Sequence, residues 1–178
     1  MNTRVRRFAL PFVIAMGVLV AGGCAEPVGG QADETPVPEI TFHPCDGFSS
    51  EALAAVRLDA RPPDRMPDRD NPQNFGCGFQ SQDSYSGIVV SAIGEAPDSV
   101  RSDDRFDVLS ETEIGGRRAL VSDFRGGSAC TVSVAIEPGI LEFMIGYSEL
   151  EDFTTVDAAC DQATRVATTL APYFPDHL

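Results

Sequence analysis

Between Cys130 and Tyr147 the chain alternates with a period of two. Cys130, Val132, Val134 and Ile136 are interleaved with Thr131, Ser133, Ala135 and Glu137, and Leu141, Phe143, Ile145 and Tyr147 repeat the pattern. Period two sends successive side chains to opposite faces of a strand, so this segment reads as a β-hairpin with one apolar face. Pro138-Gly139 suits the centre of a tight turn. A two-residue loop there sets Ile136 opposite Leu141, Val134 opposite Phe143, Val132 opposite Ile145 and Cys130 opposite Tyr147. An apolar sheet face needs a cover. Downstream, Val156, Ala159, Cys160, Ala163, Val166, Ala167 and Leu170 recur at helical spacing, which predicts an amphipathic helix over Thr155–Leu170.

Upstream, Phe48-Ser49-Ser50-Glu51-Ala52-Leu53 has the form of a helix start, with Ser49 as N-cap and Phe48 stapling against Leu53. That helix is expected to reach about Leu58 and to stop before Pro62-Pro63. Arg61–Asn74 has no period and reads as a solvated loop. Its Asp68-Arg69-Asp70 is like the opening of a calcium loop but lacks the Gly and the closing Glu. Phe75-Gly76-Cys77-Gly78-Phe79 alternates and turns Cys77 inward; Gly87–Gly94 is a second strand. Asp98–Asp107 reads as a short acidic helix. Leu109–Ile114 and Arg117–Phe124 flank Gly115-Gly116, the sign of a two-residue hairpin. The expected fold is α+β: an antiparallel sheet of about five to six strands, packed on one side by an N-terminal helix and a long C-terminal helix.

The amino terminus gives an address. Arg4, Arg6 and Arg7 precede an apolar run, Phe8–Ala21, and small residues close it at Ala21-Gly22-Gly23-Cys24. A basic start, a short apolar stretch and a small-residue end make a secretory signal peptide. The run is too short for the ~20 residues of a spanning helix. Arg6-Arg7 only loosely fits a twin-arginine signal, so general secretion is the default route. A cysteine after two glycines resembles the lipobox of bacterial lipoproteins, although Ala21 stands where that family prefers Leu. The resemblance implies a diacylglyceryl thioether on Cys24, which becomes the new amino terminus. The domain expectation is therefore signal peptide at 1–23, a lipidated Pro/Gly/acid-rich tether at 24–43 and a single folded domain at 44–178.

With Cys24 lipidated, four of the five cysteines remain, and they allow three connectivities. Cys130–Cys160 would join the inner face of a strand to the inner face of the last helix. Cys45–Cys77 would join the entry of the first helix to an inward strand position. This pairing is preferred to the two crossed ones, and an extracytoplasmic compartment permits it.

Taken together, PCDGFSSEAL, the CGF strand, the IGGRRAL hairpin, ACTVSVAI and the terminal DAACDQATRVATTL resemble an actinobacterial cell-envelope lipoprotein family. That family carries a four-cysteine domain of unknown function, number thirty-five fifty-eight. The resemblance implies a lipobox and an envelope location and brings no activity with it. The four-cysteine extracellular sensor domains of mycobacterial receptor kinases are a more distant likeness.

Composition narrows the function. The net charge is −14, and all 13 basic residues are Arg. Phosphate contacts need clustered cations, so nucleic acid is excluded as a partner. Such an acidic body is repelled by anionic lipid headgroups, so membrane attachment is expected to depend on the lipid at Cys24. Neither His43 nor His177 has a recognisable nucleophile partner. No Cys/His spacing suggests a metal, and no motif suggests a cofactor. Arg117-Arg118 reads as a charged edge. The expected function is a non-catalytic binding or interaction module of the cell envelope, its partner a protein, a lipid or a small ligand. The alternative is an envelope hydrolase using adjacent carboxylates such as Asp103-Asp104 or Glu151-Asp152.

Overall fold

In the structure, a computed structural model that describes residues 39–175 and 177–178, one antiparallel sheet carries most of the chain. Its strands are β1 (Asp64–Arg65), β2 (Arg69–Asp70), β3 (Gln73–Gln80), β4 (Gly87–Ile93), β5 (Phe106–Ile114), β6 (Arg117–Phe124), β7 (Ala129–Ala135) and β8 (Ile140–Gly146). The helices are few: α1 (Pro44–Gly47), α2 (Ser50–Ala55), α3 (Pro97–Ser102) and α4 (Val156–Leu170), with a 3-10 turn at Ala171–Tyr173. Across the sheet the order is β1-β3-β4-β8-β7-β6-β5, and β2 also pairs with β3. The meander β5–β8 and the hairpin β3–β4 thus join where β8 meets β4.

The last hairpin sets the two faces. Cys130, Val132 and Val134 lie beside Ile145, Phe143 and Leu141, and all six are buried. This register differs by two residues from the one the turn residues suggest. The chain turns through four residues, 136–139, closed by the Ile136 N–H donating to the Gly139 carbonyl at 2.9 Å. Gly139 has φ +98°, and a Cβ there would collide with the Ile93 carbonyl, so this turn is built around a glycine seated against the end of β4. A shift of two keeps every side chain on its own face. The pattern therefore fixed the face and left the pairing to the turn.

Helix α4 covers the apolar face. Thr155 caps it by accepting from the Ala158 N–H, and Ala159, Cys160, Ala163, Val166, Ala167 and Leu170 are buried against β6, β7 and β8. Both expected disulfides are present: Cys130–Cys160 with Cα atoms 5.2 Å apart, and Cys45–Cys77 with Cα atoms 5.3 Å apart. The Gly115-Gly116 hairpin also matches, with both glycines at positive φ and Ile114 opposite Arg117.

Elsewhere the structure corrects the reading. The sheet has eight strands rather than five to six, because β1 and β2 form inside the segment read as a loop. Each is two exposed residues long and exists by pairing with the free edge of β3. Helix α2 ends at Ala55, not near Leu58. Arg57 takes φ +56°, its N–H bonds to Ala54 O and the Leu58 N–H to Leu53 O, so the chain folds back and buries Leu58. The acidic helix is the shorter α3, and it lies on the face opposite α4, with Val100 packed among Leu120 and Ile140. The sheet is therefore covered on both sides. Ile40 and Phe42 are buried in the main core, so the packed body begins before Pro44. The signal segment and Cys24 lie outside the described residues.

Replacing Cys130 and Cys160 together by Ala is expected to lower stability by about 3–4 kcal/mol, the chain-entropy value for a loop of this length. Urea denaturation of the oxidised parent and the double variant measures the difference. An unchanged midpoint and slope would contradict it.

Candidate functional site

On the face away from α4, the strands carry a different set of side chains. Ser133, Glu142 and Ser91 stand in one row across β7, β8 and β4. The row continues to Gly76 on β3, whose missing side chain leaves room for Met66. This face is closed on one side by the 66–74 segment and on the other by α3 and residues 103–106. Between them lies a cleft of about 410 Å³. Met66, Val89, Ile93, Phe106, Ile140 and Met144 give it apolar walls; Arg69, Asn74, Glu95, Asp103 and Arg105 give it polar ones.

Glu142 is the singular group of this cleft. It occupies the central strand of the sheet, only partly accessible to solvent, and the Ser133 hydroxyl donates to its Oε2 at 3.5 Å. Loss of hydration on burial pushes its carboxyl up to about 7; Arg105 and the Ser133 hydroxyl act in the opposite direction, while Glu95 and Asp103 add to the rise. Ser91, directly across from Glu142, is 8% exposed. In the neighbouring row Ser122 and Thr131 face each other across β6 and β7, fully buried, and their hydroxyls have no partner among the described residues.

The cations of the cleft differ in how they are engaged. Asp103 grips Arg105: Nε reaches its two oxygens at 3.0 and 2.9 Å, and Nη2 reaches Oδ2 at 2.6 Å. This bidentate grip holds the Asp103 carboxyl below its ordinary range and raises Arg105. Glu95 accepts a hydrogen bond from the Ser99 hydroxyl at 3.1 Å. Arg69 is exposed at the rim on β2.

The residues singled out from sequence have other duties. Asp152 Oδ2 accepts from both the N–H and the hydroxyl of Ser86, at 2.7 and 2.9 Å, and Glu151 also reaches that hydroxyl. The pair ties the 81–86 loop to the 148–153 loop. Asp103 belongs to the cleft, whereas Asp104 is exposed. His43 is not part of a tether: its ring caps α1 by accepting from the Cys45 N–H, stacks on Phe75 and meets Asp68 at 3.3 Å. His177 is exposed. Arg118 pairs with Asp98 and Glu111. Among the described residues no group of His, Cys, Asp and Glu is placed to hold a metal ion.

Glu142 escaped the sequence reading because a polar residue at every second position of a strand ordinarily faces water. A signal did exist. The second-face residues of β7 are Ala129, Thr131, Ser133 and Ala135, with no charge among them, and β8 places Ile140 and Met144 beside Glu142. Small and apolar residues on both faces mark strands covered on both sides, where a lone carboxylate stands out.

The folded chain keeps the Glu142 proton up to about pH 7, whereas an ordinary carboxyl loses it near 4.5. Between these values the folded state binds a proton that the unfolded state has released. This contribution to stability is complete below about pH 4.5 and is lost as pH rises through about 7. Glu142→Gln is therefore expected to match the parent near pH 4 and to exceed it by on the order of 3 kcal/mol at pH 8. Denaturation across that range measures it, and parallel curves for the two proteins would contradict it.

No curated protein and no solved structure matches the chain. One family does: residues 19–173 match the family described as "Protein of unknown function (DUF3558)", a span running from the amino-terminal segment to the 3-10 turn after α4, and the chain belongs to that family.

Proposed function

We propose that the protein is a lipid-anchored, extracytoplasmic binding module of the cell envelope, held to the membrane through Cys24 and binding its ligand in the cleft over Glu142. The observation that carries the binding reading is the cleft itself. It has apolar walls, an ionisable group low on its floor and the hydroxyl of a largely buried serine across from that group. Sites of this build, mostly apolar with a few convergent polar groups, are typical of small-molecule binding.

Three features support the location. Arg4, Arg6 and Arg7, the Phe8–Ala21 run and Cys24 have the order of a lipoprotein signal. The family match begins at residue 19, so it takes in Leu19–Cys24. Two disulfides suit an oxidising compartment. The actinobacterial envelope setting comes from the resemblance of the four-cysteine pattern. Intact-mass measurement of the membrane-extracted chain is expected to give a mature protein that begins at Cys24 and carries acyl mass; Cys24→Ala should lose that mass. A chain starting before Cys24, or one without acyl groups, would overturn the anchor.

A hydrolase is the second reading, and one observation favours it. Glu142 is poised near neutrality in a cleft that it shares with Glu95 and Asp103, as acid–base pairs in hydrolases are. Against it, Asp103 is committed to Arg105 and Glu95 accepts from Ser99. Cleavage of envelope glycan fragments by the parent but not by Glu142→Gln would replace the binding reading with this one. The expected result is no turnover by either.

A further inference from the structure

The charges in the cleft do not balance, and the imbalance points to the ligand. Its lining holds three carboxylates, Glu95, Asp103 and Glu142, against two guanidinium groups, Arg69 and Arg105. Arg105 is spent on Asp103 through both oxygens. Arg69, exposed on β2, is set against Glu95 and Glu142, which leaves the lining one negative charge in excess. Glu142 stands on the central strand, with Ser91 across from it and Ser133 on the other side. The floor is thus furnished with acceptors, and one positive charge would neutralise it. Around that floor, Val89, Ile93, Ile140 and Met144 are apolar, and a wholly polar cation would leave them against water. The chain's net charge of −14 favours cations at every approach.

From this geometry we infer that the cleft binds a monocationic amine with an apolar body, its ammonium group seated between Glu142 and Ser91 and its body lying against Val89, Ile93, Ile140 and Met144. The inference rests on the cleft being the binding site and adds the class of ligand. An ammonium has three N–H donors. Glu142 and the Ser91 hydroxyl accept two of them. A divalent cation is the poorer occupant, since no cluster of metal-ligating side chains stands there. A cleft of about 410 Å³ accommodates a body of one ring or a short alkyl chain.

Protonation follows from the contact. An ammonium beside Glu142 favours the ionised carboxylate, so binding displaces the Glu142 proton wherever the empty site holds one. The groups facing Glu142 are Ser91 on β4, Ser133 on β7, Glu95 before α3, and Asp103 and Arg105 after it; of these only Glu95 and Asp103 are acids, and Asp103 is held ionised by Arg105. Affinity for the amine is therefore expected to rise with pH between about 5.5 and 8, following the empty site's carboxyl near 7.

Calorimetric titration of the full chain with 2-phenylethylamine, 2-phenylethanol and phenylacetate tests this directly. The expected result is saturable binding of the amine, tenfold or more tighter than either control and tenfold or more weaker at pH 5.5 than at pH 8. Glu142→Gln should lose the preference for the amine and its pH dependence. Ser91→Ala, a small change on a buried strand, should weaken the amine several-fold and leave the alcohol unaffected. Binding of the alcohol or of phenylacetate as tight as that of the amine would overturn the ammonium assignment while the binding reading stood. No saturable binding of any of the three would overturn the cleft as a ligand site and the binding reading with it.

Discussion

A pleated strand sends successive side chains to opposite faces, and in β7 and β8 both faces are covered, though unequally. Under α4, Cys130, Val132, Val134, Leu141, Phe143 and Ile145 form the centre of the main core. On the other side the same strands present Thr131, Ser133, Glu142 and Met144. Everything else follows from closing those two faces. The Cys130–Cys160 bond pins α4 to the first. The second is closed from its flanks, by α3 and by the edge segment carrying β1 and β2, and the gap between them is the cleft.

What the sequence made legible was the first face. Periodicity located α4, capped by Thr155, and placed Cys130 and Cys160 on facing surfaces; the inward alternation of Phe75, Cys77 and Phe79 did the same for Cys45–Cys77. The hairpin's pairing was two residues off because alternation has period two and cannot separate registers that differ by two. β1 and β2 left no trace, since a two-residue exposed strand has no period and is created by the edge it pairs with. The early end of α2 depends on Arg57 adopting a left-handed conformation, which its residue type does not announce. The candidate site was the least legible part. A Glu at an alternate position reads as solvated until both covers of its strand are known.

Glu142 also carries a cost in stability. A carboxyl kept near neutrality by burial costs the fold free energy whenever it ionises, and a Gln of the same shape would avoid that cost. Proteins keep such groups where activity needs them. Ser122 and Thr131 add to the same account, as buried hydroxyls in the adjoining row without partners among the described residues. The face opposite α4 is thus the costly face of the sheet, and the face beneath α4 offsets it.

The Cys45–Cys77 bond has a mechanical meaning. The chain enters the packed body at Ile40, whose N–H is fixed to Gln73, and within a few residues it is covalently joined to the middle of β3. Tension applied through the amino-terminal segment passes across the sulfur bridge into the interior of the sheet. The bridge shields α2, β1 and β2 from that load, because they all lie inside the loop it closes. Cys130–Cys160 closes a second, separate loop on the far strands, and among the described residues no crosslink spans β4 through β6. A pulled molecule would therefore yield first by shear between neighbouring strands, while the outline of its cleft wall on the 66–74 side stayed intact.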